Sequence, residues 1–305
     1  LGECHTGSLK SPTVYTSTKS VDQPRLHYIV KLNTKQVQAY TERGFVGPFG
    51  ALSADEVDYF RGQLEAFEER EGGPLSGMSG QVRAKTHLLF PWMNELVRLP
   101  LVLDAVESLI GPDILVYHLT CWIKEPGDGA YVSWHQDGAY FFLEPAEHVT
   151  AWIALSDAFE ASGCLQVLPG SHHCGALIHK KGNTEDNLLS NGQYVEGLDW
   201  DQVELLQVPS GQFTLHDTHL VHSSKPNRSN DRRIGIGVSY IPTRVRCVGP
   251  RRLTATLVRG EDRFGHFDAE TKPAGGDDET ARQYHAEAVE RFFSGHGSER
   301  TRAER

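Results

Sequence analysis

The residues most able to do chemistry lie in Tyr131-Val-Ser-Trp-His-Gln-Asp137, where His135 and Asp137 stand one residue apart. On a β-strand, residues i and i+2 project from one face. The spacing therefore predicts an imidazole nitrogen and a carboxylate oxygen aimed at one point. These are two of the three ligands of the 2-His-1-carboxylate triad that holds non-haem Fe(II) with positions left open. A His-x-Asp triplet also arises by accident, as a satisfied histidine beside a loop aspartate. A metal centre needs a third ligand from a distant segment.

The candidates are His216, His219 and His222, in Gln212-Phe-Thr-Leu-His-Asp-Thr-His-Leu-Val-His-Ser-Ser224. The stretch alternates like a strand end and turn, not like a helix, so a zinc site made of all three is disfavoured. His222 follows Leu220-Val221 and sits at a strand edge facing a loop. His216 and His219 read as partly exposed or hydrogen-bonding histidines. Just downstream, Arg232-Arg233 leads into Ile234-Gly-Ile-Gly-Val-Ser-Tyr240. An arginine at the start of a barrel strand can turn its planar fork inward and bind a carboxylate through two hydrogen bonds. Arg233 is placed to do this for the far end of a dicarboxylate that chelates the metal at its near end. Ser224 could add a hydroxyl donor, and Arg232 reads as a surface residue.

These residues need a scaffold that brings separate strands together. Ile114–Lys124, Val149–Leu155, Cys164–Leu168, Val203–Val208, Gln212–His216 and Ile234–Ile241 are β-branched and aromatic, with Gly, Pro, Asn and Asp clusters between them. Many short strands with turn residues between them predict a sandwich or barrel. Helices precede them. Asn33 with Gln36, and Ser53 with Glu56, are capping-box pairs. The first helix should stop at Gly44 and the second at Gly72-Gly73-Pro74, with a third over Leu99–Ile110. The fold expected is mainly β with flanking helices: a double-stranded β-helix (jelly-roll, cupin-like) core behind an N-terminal helical layer. Residues 1–25 read as a flexible arm, 26–295 as one domain and 296–305 as a frayed tail after a helix over 277–293. The polar insertion at about 178–200 and the Gly/Ser-rich stretch 72–80 are candidate lids.

Composition sets bounds. The 305 residues are 39% hydrophobic and 23% charged, enough to bury a sizeable core. No run is apolar enough to span a bilayer. The net charge of −10 argues against nucleic acid or an anionic membrane surface as partner. The short basic cluster of Arg244, Arg246, Arg251 and Arg252 does not overturn that. Five cysteines without a C-x-x-C pair suggest free, buried thiols in a reducing cytoplasm.

Taken in order, several pieces resemble the phytanoyl-CoA dioxygenase (PhyH) family of Fe(II)/2-oxoglutarate oxygenases. They are Gly111-Pro112 with the strand after it, Trp134-His-Gln-Asp137, Thr150-Ala-Trp-Ile-Ala-Leu155, Gly163-Cys-Leu-Gln-Val-Leu-Pro-Gly-Ser-His172, and Val221-His-Ser-Ser-Lys-Pro-Asn-Arg-Ser229 with Arg232-Arg233. The resemblance covers roughly residues 80 to 245. It implies His135, Asp137 and His222 as iron ligands, with Arg233 and Ser224 holding the distal carboxylate of 2-oxoglutarate. Trp152, His118 and Lys85 match positions near the cosubstrate. His172, in its Pro-Gly-Ser-His turn, reads as structural. The implied reaction consumes O2 and 2-oxoglutarate, releases succinate and CO2, and hydroxylates a small molecule, with desaturation or cyclisation as related outcomes. Halogenating relatives have a small residue where Asp137 stands, so the retained carboxylate implies hydroxylation. Tyr131, Tyr140, Phe141 and Phe142 flank the ligands and are candidates for the substrate side. The substrate's identity is not written in these motifs.

Overall fold

The computed structural model describes residues 31–183, 185–189, 192–274 and 279–295. The expected arm at 1–25, the tail at 296–305 and the first residues of the expected last helix lie outside them. The chain opens with α1 (Thr34–Arg43), β1 (Phe45–Gly50) and α2 (Ala54–Glu71). Both predicted capping boxes form: Asn33 accepts from Gln36 N, and Ser53 accepts from Glu56 N. Gly44 and Gly72 end the two helices in the left-handed conformation, at φ 82° and 76°. Next come α3 (Pro91–Leu96) and α4 (Pro100–Ile110), each begun by a proline that donates no backbone hydrogen bond. The strands follow: β2 (Ile114–Lys124), β3 (Val132–His135), then the short helix α5 (Gly138–Phe141), β4 (Leu143–Glu144), β5 (Val149–Ala154) and β6 (Leu165–Val167). After the insertion come β7 (Glu204–Leu206), β8 (Gln212–Asp217), β9 (His222–Ser224), β10 (Arg233–Pro242), β11 (Arg246–Cys247), β12 (Thr254–Arg259) and β13 (Asp268–Ala269). Helix α6 (Glu279–Gly295) closes the described chain.

The larger sheet runs β1-β8-β5-β10-β2-β12-β13 and the smaller one β3-β9-β6-β7. Pairing is antiparallel except between β12 and β13. Period-two alternation in β10 shows how the larger sheet uses its two faces. Ile234, Ile236 and Val238 enter the core formed with Leu64, Phe67, Met93 and Val102 of the helical layer. Each such side chain, fully buried, contributes about 1.5–3 kcal/mol. Arg233, Gly235 and Gly237 alternate with them on the other face, toward the smaller sheet. A cavity lies between the sheets. Trp122, Trp152 and Arg233 line it from the larger sheet, and His135, His222 and Ser224 from the smaller. This is the predicted jelly roll.

The expected surface position of Arg232 is not what forms. Its guanidinium binds Glu68 through two nitrogens, at 2.5 and 2.9 Å, and reaches Glu125 at 2.7 Å. It ties α2 to the start of β10. The 178–200 insertion is not a free flap either. Val195 N donates to Trp134 O at 2.9 Å, and Leu188 N donates to Tyr131 O at 2.8 Å. Ser133 Oγ donates to Gln193 O at 2.5 Å. Cys121 and Cys164 are buried and free as expected, but Cys174 is exposed. No helix among the described residues is long and apolar enough to cross a membrane.

Candidate active site

His135 is the last residue of β3, and His222 lies opposite it as the first of β9. Asp137 is not on the strand. Its φ of −58° and ψ of −38° are helical, and it caps α5. The expected i, i+2 strand geometry is therefore replaced by a strand-to-helix turn. Gln136 anchors that turn: its side-chain amide donates to Gly175 O and His219 O, at 2.9 and 2.7 Å, and accepts from Leu177 N at 2.8 Å. The backbone N–H of Gln136 donates to His179 Nε2 at 3.0 Å, and Gly138 N donates to Thr218 O at 2.8 Å. With the turn fixed from both sides, the Asp137 carboxylate still swings back to the histidines.

His135, Asp137 and His222 each place one ligand atom within 4.8 Å of the others. Asp137 Oδ1 is 3.5 Å from His135 Nε2 and 3.7 Å from His222 Nε2. Both histidines donate from Nδ1 to a carbonyl two residues back, Ser133 O and Leu220 O, each at 2.9 Å. That bond fixes the tautomer and leaves a bare Nε2 lone pair facing the shared point. Burial, reinforced by His135, holds the His222 imidazole well below its usual range, hence neutral. Burial pushes the Asp137 carboxyl up, but the contacts of its oxygens with His135 and His216 outweigh it and hold it well below the usual carboxylate range. Two imidazole nitrogens and one anionic oxygen on one side of a cavity fit a divalent, open-sided iron.

The far side of the cavity is cationic. Arg233 is 1% exposed. Its guanidinium donates to Gly163 O at 2.9 Å and Trp122 O at 3.3 Å, and its carbon lies 5.5 Å from the Trp152 ring centroid. It has no carboxylate partner among the described residues, and burial pushes it down to about 10. Two glycines make this packing possible. A Cβ on Gly235 would meet Trp152 Cζ2 at 2.0 Å, and one on Gly163, at φ +71°, would meet Lys225 O at 2.2 Å. Ser224 accepts at 2.7 Å from Lys124 Nζ, a fully buried amine whose place beside this serine no local sequence pattern marks. Lys124 and Arg233 are cross-strand partners in the β2–β10 register.

The structure brings together His135, Asp137, His222, Arg233, Ser224 and Trp152 around one cavity. It does not bring Lys85 or His118 to its lining. Lys85 Nζ pairs with buried Glu270 at 2.5 Å and donates to Thr254 O at 3.1 Å. His118 stacks on Phe292 of α6 at a centroid distance of 4.1 Å. Phe141 packs against Tyr117 and Phe292, whereas the Tyr140 ring stands edge-on to His135 at 6.0 Å, its hydroxyl buried with no partner among the described residues. Residues missed by sequence reasoning include Thr150 as well as Lys124. The hydrogen-bonding role expected of His216 is met at Asp137, but this histidine is buried, at 1% exposed.

The sequence profile of the phytanoyl-CoA dioxygenase (PhyH) family matches residues 40–235. This chain belongs to that family. A "Probable alpha-ketoglutarate-dependent hypophosphite dioxygenase" of Stutzerimonas stutzeri is 28% identical over 223 residues, 68% of this chain and 77% of that protein. An L-proline trans-4-hydroxylase of Streptomyces griseoviridis is 28% identical over 214 residues, 62% of this chain and 79% of that protein. Among solved structures, the apo form of the non-heme monooxygenase ThoJ superposes with a TM-score of 0.74 at 28% identity, covering 86% of this chain and 97% of that one. The cofactors that go with membership of the PhyH family and with this donor set are Fe(II) and 2-oxoglutarate.

Proposed function

We propose that the protein is an Fe(II)/2-oxoglutarate-dependent hydroxylase of a small molecule. The observation that carries this reading is the cavity's polarity: a triad of two imidazoles and a carboxylate on one side, and on the other a buried guanidinium that has no carboxylate partner among the described residues. A dicarboxylate with a 2-oxo group matches both ends.

His135, Asp137 and His222 would hold the metal. Arg233, Ser224 and Lys124 would hold the distal carboxylate, with Trp152 as the flat wall beneath Arg233. Once bound, iron and 2-oxoglutarate supply the oxidising chemistry, in which O2 is consumed and succinate and CO2 are released. The chain's own part is orientation and exclusion of water. Tyr140 offers beside the ligands a hydroxyl with no partner among the described residues, and the insertion is hydrogen-bonded to Tyr131, Ser133 and Trp134 on the ligand-bearing segment. Residues 26–295 act as one oxygenase domain. The retained Asp137 keeps a carboxylate on the metal and supports hydroxylation over halogenation. The proline hydroxylase relative supports the same outcome.

Anaerobic addition of Fe(II) and 2-oxoglutarate should give the visible charge-transfer band of the chelate. Succinate formation stimulated by members of a metabolite panel should then identify the substrate. Intact protein that gives no band refutes the assignment.

A further inference from the structure

The two oxygens of Asp137 have different surroundings. Oδ1 faces the nitrogens of His135 and His222. Oδ2 turns away from them. It accepts from Thr150 Oγ1 at 2.6 Å and lies 3.3 Å from His216 Nε2. Thr150 and His216 are directly opposed in the β5–β8 register, so their side chains share a face. The Thr150 hydroxyl has one proton. Given to Asp137, it leaves the threonine oxygen as an acceptor, and His148 Nε2 stands 3.3 Å from it. Both histidines then donate through Nε2 and carry a bare Nδ1. The Nδ1 atoms of His148 and His216 are indeed buried without a hydrogen-bond partner among the described residues. A bare acceptor is the less costly of the two states to bury, since an orphaned N–H is the rarer case. His148, Thr150 and His216 are 2%, 5% and 1% exposed, so water does not compete for these bonds.

We propose that His148, Thr150 and His216 form a donor chain that restricts Asp137 to a single metal-facing oxygen. A carboxylate can bind a metal through one oxygen or through both. Bound through both, Asp137 would occupy a position that the facial triad leaves open for the cosubstrate or O2. The donor chain engages Oδ2 and so keeps that position free. The three are positioning residues; they act through Asp137. The inference rests on the iron and 2-oxoglutarate reading above.

The test is anaerobic titration of the Fe(II)-loaded protein with 2-oxoglutarate, read by the visible band, beside a separate titration with Fe(II) alone. Thr150→Val and His216→Phe remove donors. Thr150→Ser and His216→Gln keep them. The donor-free variants should bind 2-oxoglutarate at least about tenfold more weakly, the scale of one charge-assisted hydrogen bond, with a weakened or shifted band. Their affinity for Fe(II) alone should be retained, because a carboxylate freed to chelate still holds the metal. The conservative variants should restore the wild-type band. Wild-type band and affinity in Thr150→Val and His216→Phe would overturn the donor chain while leaving the functional reading intact. Parallel loss of Fe(II) and 2-oxoglutarate in all four variants would also overturn it, since the residues would then serve only packing. No band in the wild type would refute both.

Discussion

Binding of 2-oxoglutarate should draw a proton onto Lys124. This lysine is fully buried and faces Arg233 across the β2–β10 pair. Burial, then the Arg233 charge, pushes its ammonium down to about 6; Asp128 pulls weakly the other way. At about pH 7.5 a group titrating near 6 is charged in only about 3% of molecules. The distal carboxylate of 2-oxoglutarate would bring a counter-charge to Lys124 as well as to Arg233. At about 4 Å and an effective dielectric of about 20 that attraction is about 4 kcal/mol. It corresponds to about three pKa units, enough to return Lys124 to about 9. The expected uptake is then about 0.9 proton per cosubstrate at about pH 7.5, falling toward about 0.1 at pH 5, where free Lys124 is already charged. Calorimetric titration of the Fe(II)-loaded protein without oxygen, in buffers of different ionisation enthalpy, measures the uptake directly. In Lys124→Met it should vanish. Uptake below about 0.2 proton at pH 7.5, or an equal value in Lys124→Met, refutes the reasoning. The same depressed pKa fixes a stability trend. The unfolded chain holds the Lys124 proton up to about pH 10 and the folded one only to about 6, so between those values stability rises with pH, by up to about 1.4 kcal/mol per unit. Urea midpoints of the cosubstrate-free protein should show that rise flattened in Lys124→Met.

Arg233→Met should weaken 2-oxoglutarate by about 2–3 kcal/mol, roughly 30- to 150-fold, in the same band titration, while metal affinity stays near wild type. Gly235→Ala should drive a methyl into Trp152, destabilise the fold by about 1–3 kcal/mol in a urea melt and weaken 2-oxoglutarate along with it. Lys85→Met should leave Glu270 buried without its cation and lower stability by about 3–5 kcal/mol. Because Lys85 does not line the cavity, any folded fraction should bind 2-oxoglutarate with wild-type affinity, measured by the same titration.

What could be read from the sequence follows the range of the interactions. Helix ends are local, so Asn33 with Gln36 and Ser53 with Glu56 marked α1 and α2 before any tertiary contact was known. The boundaries of β2 could be read because an eleven-residue stretch rich in β-branched and aromatic residues lies between Pro112 and Pro126. His135, Asp137 and His222 were found by residue type and motif order, although the geometry assumed for Asp137 was wrong: Gln136, tied to segments some 40 and 80 residues away, bends the chain out of the strand. The supporting residues depend on register, which no local pattern prints. Thr150 looks like an ordinary strand threonine until β5 and β8 pair it with His216. Lys124 ends a strand, where a lysine is usually solvated, and only the β2–β10 pairing sets it beside Arg233. One signal was available. The Ile-Gly-Ile-Gly run after Arg233 empties alternate positions on one face of β10, and a strand glycine marks a bulge, a bend or the close approach of another group. Trp152 and Trp122 fill that space, and a flat aromatic floor beneath an inward arginine is the form a carboxylate site takes. The glycines of β10 thus mark the Arg233 end of the cavity, where the proposed cosubstrate carboxylate would sit, as the histidines mark the metal-ligating end.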